Sequence, residues 1–339
     1  MSGPARATDG AHTLAGGFGP AYDLMMINRS HVESRPAPAF GRRLSAPLAA
    51  VVLLFTAVAM VATTGCASSA AAPAALDARQ IESRKLAGEM ALRAMDREAL
   101  YTIAPTDGGT RIKALSTGFW QSKLDAAAPK EESLRELEAR RRALDLLDTR
   151  DLDFGVMAFA TIFDGQRHVE AYVVHVGTMD DVLSRHAAFF GPYALTPGTS
   201  VGEVLATVER MPRLDRFRAY GLLFGYPQYA VDFFVEAARD EGKPEGSEEG
   251  KDEAKEASKS GEPAARRPIV PRDFVSIPVH ESETNRFVWA APKGHAGHPD
   301  DEVIRAQAAA ILARYRAARG EAPADGVVLL RVMSEPPGR

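Results

Sequence analysis

Residues 156–176 read VMAFATIFDGQRHVEAYVVHV, and this stretch decides the fold class. Two β-prone runs, 156–162 and 168–176, flank Asp164-Gly165. An Asp-Gly pair between such runs specifies a hairpin, because the tight turn demands positive φ and glycine adopts it without steric cost. A second pair of β-prone runs, 274–279 and 286–291, is joined by the polar segment HESETN, and the apolar run 327–332 reads as a last short strand. An isolated hairpin is marginal in water. These five strands are therefore expected to share one mostly antiparallel sheet.

Helical periodicity surrounds the strands. Helices are expected over 78–97, with Ile81, Leu86, Met90 and Met95 apolar, and over 129–148, with Leu134, Leu137, Leu144 and Leu147 at helical spacing. Another runs over 178–190, opened by Thr178 with Asp181 in capping-box register. Ser200 and Glu203 open a further helix to about 210, followed by helices over 212–224 and 227–239. Between the last two, Gly225-Tyr226-Pro227 stops one helix and starts the next. A final helix is expected over 299–319, with Ile304, Ala308, Ile311 and Tyr315 as its stripe and Gly320 as its cap. Residues 98–128 show no clear period beyond a turn at Asp107-Gly108-Gly109, although Phe119 and Trp120 read as core anchors.

The expected fold class is α+β: a mostly antiparallel sheet of about five strands with helices packed on it, plus a helical subdomain at 200–239. Residues 241–267, EGKPEGSEEGKDEAKEASKSGEPAARR, contain no large apolar side chain. Such a segment cannot bury enough surface to offset its ordering entropy. It reads as a disordered charged insertion in one domain made of 77–240 and 268–335. The other division, two domains split at 241–267, would leave a C-terminal piece with a marginal core.

The N-terminal part reads as an address. Arg42 and Arg43 precede Ala46 to Ala62, APLAAVVLLFTAVAMVA, which carries no charge. Thr63-Thr64-Gly65-Cys66 follows. A positive region, an apolar region and small residues at the cut are the parts of a secretory signal, and the apolar run is slightly short for a bilayer span of about 20 residues. The stretch resembles the signal peptide and lipobox of bacterial lipoproteins, with Thr63 in place of the usual leucine. The resemblance implies cleavage before Cys66, lipid attachment at Cys66 and anchoring in the cell envelope, facing the periplasm or exterior. Ala67 after the cysteine favours the outer membrane where there is one. An uncleaved membrane helix with Cys66 as a bystander is the alternative. Residues 1–66 therefore form an N-terminal extension and signal, with Met25 or Met26 as other possible starts, and residues 67–76 form a small-residue tether.

Composition bounds the function. The 339 residues are 45% hydrophobic and 25% charged, ordinary for a globular chain. Cys66 is the one cysteine, so neither an intrachain disulfide nor a multi-cysteine metal site is available. Lys+Arg number 41 against 45 Asp+Glu. Taking away the five basic and three acidic residues before Cys66 leaves a net of −6. Such a surface offers no field for nucleic acid. The expected partners are the membrane, through lipid on Cys66, and an envelope protein.

Chemistry is sparse. After Cys66 the histidines are His168, His175, His186, His280, His295 and His298. His168 and His175 are seven apart and point to opposite strand faces. His280, at the second hairpin, and His295 and His298, just before a helix, are the candidate metal ligands should the hairpins converge; otherwise His298 serves the helix start. Ser276 and Ser282 flank His280 without any local triad signature. Asp180-Asp181 and Asp300-Asp301-Glu302 read as helix starts. Arg140, Arg141 and Arg142 read as a solvated face. Tyr220, Phe224, Tyr226, Tyr229, Phe233 and Phe234 form the densest aromatic group, mostly core. No nucleophile elbow, P-loop, zinc-protease, EF-hand or dinucleotide motif occurs, and no cofactor is expected. The reading that follows is a non-catalytic, lipid-anchored binding protein; its alternative is a metal-assisted hydrolase using the hairpin histidines.

Overall fold

The computed structural model describes residues 77–241, 269–283, 287–321 and 325–336. The signal region with Cys66, the tether, and all but the first residue of the charged insertion lie outside them. Among the described residues there are ten helices and two small antiparallel sheets. No described helix is long and apolar enough to cross a membrane.

The first hairpin forms as its sequence dictates. Strands β2 (Leu152–Phe163) and β3 (Gln166–His175) pair from Phe163 opposite Gln166 onward. Asp164 and Gly165 both take positive φ, 48° and 72°, the geometry of a two-residue turn matched to strand twist. Strand β1 (Leu115–Asp125) pairs with the other edge of β3, giving the order β1-β3-β2. It occupies the region that showed no period. Both edges of β3 are irregular. Residues 118–120 of β1 face Ala171 alone, and residues 159–161 of β2 face His168 alone.

This three-stranded sheet separates two apolar cores. Val169, Ala171 and Val173 of β3 join Phe119, Trp120 and Phe154 on one face. Val174 joins Leu115, Met157 and Phe159 on the other. The first face is covered by α1 (Ala78–Met95), α2 (Leu100–Ile103) and α3 (Glu131–Asp145). The second is covered by α4 (Val176–Arg185) and α5 (Ala187–Phe190), then α6 (Val201–Arg210), α7 (Arg213–Leu223) and α8 (Gln228–Glu241). Asp77 and Gln80 form the capping box of α1, and Ser200 caps α6 through the Glu203 N–H.

Strands β4 (Arg272–Ile277) and β5 (Phe287–Pro292) form their own two-stranded sheet. The expectation of one sheet of about five strands is thus corrected to a mixed fold with sheets of three and two strands. β5 packs against α8, while β4 packs against α9 (Pro299–Glu321). That hairpin gains its cover from helices, so it needs no hydrogen bond to the larger sheet.

Three further corrections are local. The run 327–332 is not a strand but part of α10 (Gly326–Ser334), capped by the Asp325 side chain accepting from the N–H groups of Val327 and Val328. Gly326, Leu329, Leu330 and Met333 bury one helical face against α1. Helix α4 starts at Val176, with His175 rather than Thr178 as N-cap. Gly320 does not end α9, which runs through it to Glu321.

Three pieces converge on Lys113, just before β1. Its ammonium is buried, 2.7 Å from the Glu98 carboxylate, and lies over the rings of Phe224 and Phe287 at 5.3 and 4.7 Å. Gly225, at φ 74°, is pressed on this segment so closely that a Cβ would meet the Ile112 carbonyl oxygen at 2.1 Å. Tyr226 then stacks on Phe287 and tilts against Phe224 and Trp289, and it packs on both cores.

Candidate functional site

The loop from Lys293 to His298 leads from β5 to α9. Gly294 and Gly297 take φ of 82° and 106° and turn it back on the body. Asp273 of β4 pins its start, accepting from Lys293 Nζ and Gly294 N at 2.7 Å each. His295 and His298 are thereby both placed against the ring of Tyr229, in the first turn of α8. Their ring centroids lie 5.3 and 4.4 Å from that of Tyr229.

Asp301 closes the group from the first turn of α9, and it is only 1% exposed. One oxygen accepts from Tyr229 Oη at 2.6 Å. The other lies 2.7 Å from His295 Nε2 and accepts from the His298 N–H at 3.1 Å. His298 Nδ1 in turn accepts from the Asp300 N–H at 3.2 Å. This is a reciprocal cap with histidine as the capping residue. Trp289 of β5 donates its indole N–H to Tyr229 Oη at 3.1 Å.

The electrostatics follow from these bonds. Burial would raise the Asp301 carboxyl, but donation from Tyr229, His295 and the His298 backbone outweighs it and holds the group below the usual aspartate range. Burial, reinforced by the hydrogen bond to Asp301, pushes the Tyr229 phenol well above its ordinary value. Tyr229 is therefore a poor nucleophile. An Asp–His pair can move a proton, yet here both Asp301 oxygens are committed to fixing α8 and the 293–298 loop to α9.

His280 lies elsewhere. Its Nε2 is 3.8 Å from Asp96, the residue that ends α1, and its ring meets Tyr315 edge-on at 5.2 Å. Tyr315 donates to the same carboxylate at 2.8 Å. At 1.5 Å per residue, Tyr315 stands about 21 Å along α9 from Asp301. The structure thus brings His295 and His298 together and leaves His280 at the far end of the helix. Among the described residues no group of three or more His, Cys, Asp or Glu side chains is placed to hold a metal ion. Of the hairpin histidines, His175 caps α4, its Nδ1 accepting from the Thr178 N–H at 3.1 Å.

Sequence reasoning passed over three buried charges: Lys113, Glu170 and Glu209. Glu170 sits mid-strand between Val169 and Ala171, where a carboxylate flanked by apolar residues marks a two-sided buried strand. Glu209 accepts from the Ala160 N–H in the irregular part of β2 at 2.6 Å, and from the Tyr220 hydroxyl. Tyr229 was visible only as one aromatic of six, and Asp301 only as a helix-start acid.

An open groove of about 750 Å³ runs between the first turns of α1 and the end of α3. Arg79, Arg84 and Arg142 line it together with Asp77, Glu82 and Asp145, so it is charged but balanced. No family model matches the chain, and neither a curated protein nor a solved structure shows significant similarity to it.

Proposed function

We propose that this chain is an exported, lipid-anchored envelope protein that acts by contact with an envelope partner, without catalysis. The observation that carries the reading is the uncharged run Ala46 to Ala62 ending in Thr63-Thr64-Gly65-Cys66, the last being the single cysteine. Each buried methylene of an acyl chain contributes about 0.8 kcal/mol, so several chains on Cys66 hold a body to a bilayer almost irreversibly. The non-catalytic half is supported by how the titratable groups are used. Asp301, His295 and Tyr229 spend their hydrogen bonds on joining elements. The hydrolase alternative requires His280 beside His295 and His298, and α9 stands between them.

The one-domain reading, with the charged segment as an insertion, draws support from the first core, which takes residues from both sides of that segment. The anchor is tested by changing Cys66 to alanine in the full chain. Membrane fractionation should show release of the variant, or retention of an uncleaved precursor. Wild-type chain with a free thiol in the cytosolic fraction would overturn the reading. Co-purification from membranes in mild detergent then identifies the partner.

A further inference from the structure

Glu170 is the most demanding group in the fold. Its residue is 0% exposed at the centre of β3, the middle strand. Neither carboxyl oxygen makes a hydrogen bond of full geometry. The Thr117 side chain of β1 is close enough to favour the anion somewhat. The charged groups that bear on it are of its own sign: Glu98, between α1 and α2, and Glu209 of α6. The first is paired with Lys113 and the second is bonded to Tyr220 of α7. From the strands it faces Met157 of β2 and Gln121 of β1, neither of which titrates.

A carboxylate held dry beside two others is costly. Burial, with Glu98 and Glu209 adding to it against the opposing Thr117 side chain, pushes Glu170 from the ordinary value of 4.5 up to about 7. The weak wall of its enclosure lies beside it. Residues 118–120 of β1 lack one-to-one partners in β3. Gly118, at φ 76°, presents no side chain, and a Cβ there would stand 3.8 Å from a Glu170 oxygen. Arg97, donating to the Gly118 carbonyl at 3.0 Å, is the cationic strap over this wall.

We propose that Glu170 and the Thr117–Gln121 irregularity form a proton-controlled latch, closed over the uncharged acid and opened by water entering past Gly118 when the acid ionises. The device is independent of the anchor. Its sign is fixed by linkage. The folded state holds this proton more tightly than the unfolded state, so the stabilisation it gives is complete at low pH and is lost as pH rises from about 4.5 to about 7. Across that window the folded-to-unfolded ratio falls by up to about tenfold per pH unit from this group alone.

The test uses the full chain and Glu170→Gln. Carboxyl carbon NMR of labelled wild-type protein should give a Glu170 midpoint near neutrality. Hydrogen exchange over residues 117–121, corrected for intrinsic rates, should quicken above that midpoint in wild type and not in E170Q. Urea unfolding should fall with pH in wild type relative to E170Q. A midpoint at the ordinary glutamate value overturns the proposal, as does exchange at 117–121 that ignores the titration. If E170Q fails to fold, the wild-type midpoint and its coupling to exchange decide the matter without it.

Discussion

Asp301 accepts from a phenol, an imidazole and a backbone N–H within 3.1 Å, so one side chain ties three elements. Asp301→Asn keeps the shape and removes the charge that these donors need. The expected loss is about 2–3 kcal/mol, the worth of hydrogen bonds to a charged group, read as a shift of the urea midpoint. Because the Asp301 carboxyl is held low, its stabilisation is complete above the ordinary aspartate value near 3.8 and fades only as pH falls further through the folded value. His175 titrates in a separate window. Burial, with help from Arg111, lowers it from 6.5 to about 4, and the neutral ring is the one whose Nδ1 can cap α4. The unfolded state therefore binds the extra proton between about 4 and 6.5. Stability from this group is complete above 6.5 and declines as pH drops toward 4. His175→Asn supplies a cap that does not titrate, so the difference between the two unfolding curves should be constant above pH 6.5 and shift in favour of the variant as pH falls from 6.5 toward 4. A pH-independent difference would refute the assignment.

At the level of elements, the crossing of α1 and α10 makes an asymmetric prediction. A Cβ on Gly326 would lie 2.1 Å from the Gly88 carbonyl oxygen, whereas a Cβ on Gly88 would meet Gly326 N at an ordinary 3.7 Å. Gly326→Ala should separate the helices and cost about 1–3 kcal/mol, as overpacking does. Gly88→Ala should be neutral or stabilising by up to about 1 kcal/mol through helix propensity. Thermal melts of the two variants that move together would contradict this crossing. The same helix shows where the sequence misleads. Val327 and Val328 are β-branched and favour a strand locally, but Gly326, Leu329, Leu330 and Met333 repeat at helical spacing and Asp325 is a ready cap. The Asp164-Gly165 hairpin was legible because its turn chemistry is local. β1 was not, because Gly118 and the irregularity after Thr117 break the alternation that identifies a strand. Thr178 was passed over as a cap because β3 runs directly into α4, leaving the strand's last residue to do the capping.

For the whole molecule, four of the five strands were legible and their grouping was not; the fifth expected strand is helix α10, and β1 went unread. No local signal tells whether a hairpin meets another hairpin or a helix; here α8 and α9 cover β5 and β4. The candidate site shows the same limit. His295 and His298 are near in sequence and were paired easily, but Tyr229 and Asp301 are joined to them only by the tertiary fold. Tyr226 holds the two cores together, so unfolding should be one cooperative event followed equally by tryptophan emission and far-ultraviolet dichroism. Tyr226→Ala should lower stability by about 3 kcal/mol and pull the two signals apart; coincident transitions in the variant would show that the cores communicate by another route. Lys113, sealed under Phe224 and Phe287 at the place where all the parts meet, turns that junction into something that can be timed. Of the described lysines it should be the last to be acylated by an amine reagent, and the rate at which it yields counts how often the junction parts.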